Sequence, residues 1–217
     1  MKKYLLFDLD GTLTASAPGI ISSVKEVIRH YGLREYSQEE LGMFIGPPLA
    51  VSFSKYLGLP DDKILEAIGV YRKYFEAHGI FDNSVYDGIP ETLQKLKDAG
   101  YILAVSTSKP EIYAKTIVDY YKIAPYFTFV CGIPMEDEQM TKAQVIATTL
   151  EKLGVTDKSE VLMIGDRFYD VEGADKNGIE CMGVTFGYGN EEELTEAGAK
   201  YIAHTAEEIF EVVENIK

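Results

Sequence analysis

Two apolar patterns alternate along the chain. Short, near-continuous runs end abruptly in polar residues: "KYLLFDL" from Lys3, "YILAVST" from Tyr101, "FTFVCG" from Phe127, "EVLMIGD" from Glu160, "ECMGVTFG" from Glu180 and "KYIAH" from Lys200. Such runs predict strands of a parallel sheet buried on both faces. Helical spacing lies between them. "IPETLQKLKDAG" puts Leu93 and Leu96 on one face, with Pro90 in the first turn and Gly100 as the stop. "KAQVIATTLEKLG" lines up Ile146, Leu150 and Leu153 before Gly154, and "EEIFEVVENIK" lines up Ile209, Val212, Val213 and Ile216. Strand following helix in this way predicts an α/β fold, a Rossmann-like doubly wound parallel sheet.

One region breaks the alternation. From Pro18 to about Asn83 no strand pattern occurs. Ile20, Val24, Val27, Ile28 and Tyr31 share a helical face that Gly32 ends, and helices are predicted over Gln38–Phe44, Leu49–Leu57 and Asp61–Ala77. So long an insert after the first strand is no loop. It predicts an all-helical domain at 16–84 inside a core made of 1–15 and 85–217. Tyr31, Phe44, Phe53, Tyr56, Tyr71, Tyr74, Phe75 and Phe81 sit at spacings that predict its core. "FIGPPL" interrupts the helices, and Gly46 with Pro47 and Pro48 fixes a rigid loop there.

Charge narrows the partners. The 217 residues carry a formal net charge of -14, from 21 basic and 35 acidic side chains. With no basic run, such a surface disfavours nucleic acid polymers and anionic membranes. The start, "MKKYLLFDLD", lacks a signal-peptide pattern, and no apolar run reaches bilayer length, so a cytoplasmic protein is expected. Cys131 and Cys181, far apart in apolar context, are expected to be buried thiols. The three histidines are scattered and form no ligand set.

The chemistry collects where the strands end. Asp8 and Asp10 close the first strand, which costs desolvation and mutual repulsion unless something offsets both. The strand from Tyr101 ends in Ser106, Thr107, Ser108 and Lys109. The strand from Glu160 ends in Gly165 and Asp166, with Asp170 four residues on, and Lys142 opens the helix after the third strand. Parallel strands bring these ends to one edge. Carboxylates suit Mg²⁺. Hydroxyls, backbone N–H groups and an ammonium suit a phosphoryl group.

"DLDGT" at Asp8, "STSK" at Ser106, "TKAQVI" around Lys142 and "IGDRFYD" at Ile164, in this order, resemble the haloacid dehalogenase superfamily of phosphotransferases across essentially the whole chain. The helical insert resembles that superfamily's C1 cap. "GPPL" at Gly46 and "GYGNEEEL" at Gly187 resemble its phosphoglycolate phosphatase and 5'-nucleotidase-like branch. The resemblance implies a Mg²⁺-dependent phosphatase with Asp8 as nucleophile and Asp10 as proton donor, then base. It implies a metal held by the Asp8 carboxylate, the Asp10 backbone carbonyl and Asp166, with Asp170 behind or through water. It also implies phosphoryl contacts from Thr107, the Ser108 N–H and Lys142, with Ser106 as the alternative to Thr107. In the insert, Gly46 and Pro47 become candidates for touching substrate. The expected partner is a small phosphomonoester; phosphoglycolate, a nucleoside monophosphate and a sugar phosphate all stay open, as do monomer and homodimer. A phosphomutase using the same aspartyl-phosphate is the alternative enzyme. A receiver-type signalling domain shares the residue types, but the length and the helical insert disfavour it.

Overall fold

The computed structural model describes residues 2–137 and 140–216. Six strands form one parallel sheet: β1 (Tyr4–Phe7), β2 (Ile102–Pro110), β3 (Val130–Ile133), β4 (Val161–Gly165), β5 (Glu180–Val184) and β6 (Tyr201–Ala203). Their spatial order is β3-β2-β1-β4-β5-β6. The order reverses at β1, the switch point where α/β sheets open a crevice beyond their strand ends. In register, Phe7 lies between Val105 of β2 and Ile164 of β4. The first strand is therefore central, and Asp8 leaves the sheet at its middle.

The continuous apolar runs are explained by two covered faces. Leu6, Ala104, Met163 and Cys181 turn one way, into a cluster with Ile146, Leu150, Val171 and Ala174. Those partners come from α7 (Lys142–Leu153) and α8 (Phe168–Lys176). Their strand neighbours Leu5, Phe7, Leu103, Val105, Leu162, Ile164 and Met182 turn the other way and are buried too. Helix α7 starts on a reciprocal cap between Thr141 and Gln144 and stops at Gly154, whose φ of 65° is left-handed. Helices α5 (Ile89–Asp98) and α10 (Ala206–Asn215) pack together, with Thr92 Oγ1 donating to the Ala206 carbonyl at 2.9 Å. Cys131 and Cys181 are buried free thiols.

By its contacts the chain divides into two compact units, one running to Ala15 and resuming at Val85, the other spanning Ser16–Ser84. The second unit holds α1 (Ala17–His30), α2 (Gln38–Gly42), α3 (Leu49–Leu57) and α4 (Asp61–Ala77). Its interior is aromatic. Phe53, fully buried, meets Phe44 and Tyr71 with ring centroids 6.4 and 6.1 Å apart, and Tyr71 stacks on Phe75. Phe81 departs from the expected core and is 45% exposed, because it ends a short 3-10 turn after α4 instead of continuing a helical face. Helix α2 also stops earlier than its pattern predicts, at Gly42, before Phe44.

Two strands differ from their apolar runs. The pairing strand β3 begins at Val130, since the chain before it makes a 3-10 turn at Ala124–Tyr126. β2 runs three residues beyond "YILAVST". Its pairing with β3 slips between Ser106, opposite Cys131, and Pro110, opposite Ile133. Four steps on β2 thus face two on β3, so Thr107, Ser108 and Lys109 bulge from regular pairing. Among the described residues, no helix is long and apolar enough to cross a membrane.

The helical unit depends on its aromatic interior. Phe53→Ala should lower its stability by about 3–5 kcal/mol. Urea unfolding followed by far-UV circular dichroism reads this as an earlier transition, and an unmoved midpoint would contradict it.

Candidate active site

The turn after β1 builds the site. Leu9 is fully buried, and its carbonyl accepts the N–H groups of Leu13 and Thr14, both at 2.9 Å. Gly11 completes the turn at φ 86°. Any side chain there would be strained, and a Cβ would also overlap the Asp166 carboxylate. Asp8 and Asp10 flank Leu9 and stay at the strand end.

Asp166 follows β4 and is fully buried. Thr12 Oγ1 donates to its Oδ1 at 3.3 Å, and the Tyr188 N–H donates to its Oδ2 at 2.8 Å. The loop after β5 thus closes on Asp166. Gly187 in that loop has no room for a Cβ, which would overlap the Gly11 carbonyl and the Asp166 side chain. Asp170 lies in the first turn of α8. Its Oδ2 accepts the Arg167 N–H at 3.1 Å, while its Oδ1 lies 2.7 Å from Lys142 Nζ. The same ammonium lies 2.7 Å from Asp8 Oδ1. Asp8, Asp166 and Asp170 each offer an oxygen within 4.8 Å of the others.

Electrostatics mark this group. Burial raises the Asp8 pKa to about 6, with Asp170 and Asp10 adding repulsion and Lys142 opposing it. Burial likewise pushes Asp166 well above the usual carboxylate range, helped by Asp170 and Asp8. Burial alone would lower Lys142, but Asp170 and Asp8 outweigh it and hold the ammonium protonated. Lys109, also buried, lies 2.6 Å from Asp10 Oδ2. With all four carboxylates ionised, two ammonium groups face them, and two negative charges remain unbalanced. An all-oxygen donor set with that excess fits one hard divalent cation.

The two hydroxyls at the end of β2 are both buried but have different partners. Ser106 is fully buried, and its Oγ accepts from Thr149 Oγ1 at 3.0 Å, within the packing of α7. Thr107 sits one residue on, where the bulge begins, and its Oγ1 accepts the Lys109 N–H at 3.3 Å. Of the sequence candidates, Asp8, Asp166, Asp170 and Lys142 come together in one cluster. Asp10 joins them through the β1 turn. Gly46 and Pro47 belong to the helical unit, between α2 and α3.

Sequence reasoning assigned no role to Lys109, to Thr12 or to the Tyr188 N–H. Nor did it single out Glu193, which accepts from Arg167 Nε at 2.8 Å and from the Phe168 N–H at 3.0 Å, tying α9 (Glu191–Glu196) to the acid motif. The lysine in "STSK" was the available signal for Lys109. Tyr86 and Tyr188 share a side-chain hydrogen bond, and burial holds the Tyr86 phenol protonated.

The model of the haloacid dehalogenase-like hydrolases matches residues 5–184. The chain belongs to this family. It is 38% identical to a 5'-nucleotidase of Pseudomonas aeruginosa over 190 residues, 88% of this chain and 86% of that one. A phosphoglycolate phosphatase of Vibrio parahaemolyticus is 28% identical, over 97% of this chain and 96% of its own. The crystal structure of a predicted phosphatase from Clostridium acetobutylicum superposes with a TM-score of 0.95 at 42% identity, covering both chains completely. This hydrolase is accordingly a phosphatase of the 5'-nucleotidase and phosphoglycolate phosphatase kind, with the parallel sheet and helical insert foreseen from its pattern.

The Asp8 pKa carries a consequence for metal binding. A ligand carboxylate must give up its proton, so binding at pH 6 should release protons and affinity should rise as pH climbs through about 6. Titration calorimetry with Mg²⁺ in two buffers of unequal ionisation heat measures the release, and none at pH 6 would contradict it. Without metal, the sign reverses for stability. The folded Asp8 keeps a proton that the unfolded chain loses from about pH 4 upward, so its contribution falls as pH rises from about 4 to 6.

Proposed function

We propose that the protein is a Mg²⁺-dependent hydrolase of small phosphomonoesters that works through an aspartyl-phosphate on Asp8. The observation that carries this reading is the Asp8 carboxylate at the central strand end, 2.7 Å from Lys142 and grouped with Asp166 and Asp170. A carboxylate fixed by a cation is aimed and cannot rotate away, which suits a nucleophile. Asp8, Asp166 and the Asp10 carbonyl would hold the metal. When bound, Mg²⁺ would supply positive charge that keeps the carboxylates ionised and offsets the phosphoryl oxygens.

The chain's own residues then divide the work. An Asp8 oxygen attacks phosphorus, and the bond to the leaving oxygen breaks as Asp10 protonates that oxygen. Asp10 next takes a proton from water. The water oxygen bonds to phosphorus, the bond to Asp8 breaks, and inorganic phosphate leaves. Thr107 and the Ser108 N–H hold the phosphoryl oxygens, in the stretch where β2 bulges. Lys142 balances their charge while keeping Asp8 in place, and Asp170 fixes Lys142 from behind. Gly46 and Pro47, in the rigid loop of the helical insert, are the residues of that unit to test for an effect on substrate choice. The relatives' names place 5'-nucleotides and phosphoglycolate among the substrates to be tried.

A panel of phosphomonoesters assayed with Mg²⁺ and with chelator tests the reading. Phosphate release that needs Mg²⁺ supports it. Full activity in chelator, or transfer of the group to a sugar hydroxyl without net release, would overturn it. Lys142→Ala should cost on the order of a hundredfold in turnover, and a loss of only a few-fold would reduce Lys142 to a structural ion pair. The two aspartates should fail differently. Asp8→Asn should be inactive on every substrate. Asp10→Ala should lose alkyl phosphates, whose alkoxides need protonation, yet release about one p-nitrophenolate per enzyme in a burst. Rapid quench with labelled phosphoryl group would count the trapped adduct, and wild-type rates on alkyl phosphates would refute the role of Asp10.

A further inference from the structure

Lys109 has no part in the chemistry just assigned, and its setting is unusual. Its side chain is only 6% exposed, yet it carries a charge, and Nζ lies 2.6 Å from Asp10 Oδ2. Burying an ammonium is costly without a partner of this quality. The backbone is shaped for the contact. Lys109 sits in the slipped stretch of β2, between Ser106 and Pro110, where regular pairing with β3 is given up. A bulge next to a site re-aims a side chain, and here the re-aimed residue reaches the central strand end. Its backbone N–H meanwhile donates to Thr107 Oγ1.

The two oxygens of Asp10 are treated differently. Oδ2 is held by Lys109, whereas Oδ1 is buried and has no hydrogen-bond partner among the described residues. Lys142 serves Asp8 and Asp170. The two lysines therefore divide the acids, one on the nucleophile and one on the carboxylate that handles protons. A proton-transfer group works only when its active atom is held in reach, and a third group commonly orients it.

We propose that Lys109 is a positioning residue for Asp10. It fixes Oδ2, so that Oδ1 faces the reacting oxygen in both halves of the cycle. In the first half Oδ1 gives its proton to the leaving oxygen as the bond from phosphorus breaks. In the second half Oδ1 takes a proton from water as the water oxygen bonds to phosphorus. The inference rests on the phosphatase reading above and adds to it the group that orients its acid and base.

The test compares Lys109→Met and Lys109→Arg with the parent enzyme. Three substrates are used with Mg²⁺: glycerol 2-phosphate, p-nitrophenyl phosphate and 2-phosphoglycolate. Lys109→Met should lower kcat on glycerol 2-phosphate on the order of a hundredfold, the scale of a misplaced catalytic group. Its p-nitrophenolate burst should slow by less than about fivefold, because that leaving group needs no proton. KM should stay near the parent value on all three, and Lys109→Arg should restore most of the loss. Should the Met variant not fold, Lys109→Gln is read the same way. An equal loss on alkyl and aryl substrates, with a lowered Tm, would make the pair merely structural and overturn the proposal. So would a KM increase confined to 2-phosphoglycolate, since Lys109 would then be reading the substrate's carboxylate. An active parent without the selective loss refutes only the role of Lys109. A parent inactive on every phosphomonoester overturns the phosphatase reading and this inference together.

Discussion

The structure is organised around a concentration of negative charge that water does not screen. Asp8, Asp166 and Asp170 place oxygens within 4.8 Å of one another, and burial raises the proton affinity of Asp8 and Asp166. Left alone, such a group would repel itself apart or stay protonated. Buried Lys142 opposes the first outcome by lying between Asp8 and Asp170, and buried Lys109 does the same for the neighbouring Asp10. A divalent cation held there would relieve the second. The sheet supplies the frame, since only its central strand ends come close enough from β1 and β4 to share the load.

Holding these acids in place occupies much of the surrounding chain. Asp170 is at once an ion-pair partner of Lys142 and the acceptor for the N–H that starts α8. Glu193 binds Arg167 and the Phe168 N–H, which fastens the loop after β5 to the loop after β4. Backbone as well as side chains encloses Asp166, and no room is left for a Cβ at Gly11 or Gly187. The metal-facing half of the site is thus rigid through short contacts from several elements, a requirement for electrostatic stabilisation without reorganisation.

What the sequence revealed follows from which forces are local. Apolar runs and helical stripes gave the sheet, its helices and the insert, because burial imprints its period on the chain. The acids at the ends of β1 and β4 were legible because a charge following an apolar run is costly without a purpose, whereas Lys142 at the start of α7 was legible only through its place in the order of motifs. The slip in β2 was not legible. It depends on how two strands pair, and the residues of β2 alone read as an ordinary strand that stops at Thr107. Lys109 was hidden with it, since its meaning lies in a contact across 99 positions of sequence. Glu193 was hidden for a similar reason, because its partner is an arginine from another loop. Phe81 erred the other way, having helical spacing beyond the point where the helix stops.

The place of β1 in the sheet has a consequence for how the chain comes to be folded during synthesis. β1 is the first strand made, but it lies between β2 and β4, and residues 161–165 of β4 are among the later ones to leave the ribosome. Until then Leu5, Leu6 and Phe7 keep one strand edge unpaired and much of their apolar surface uncovered. Long-range parallel pairing of this kind is slow and exposes sticky intermediates. The helical insert, where Phe53 meets Phe44 and Tyr71 within residues 16–84, can collapse while the core still waits. A chain folding as it is made would thus present an open sheet beside a finished helical unit, the surface a chaperone would have most to protect.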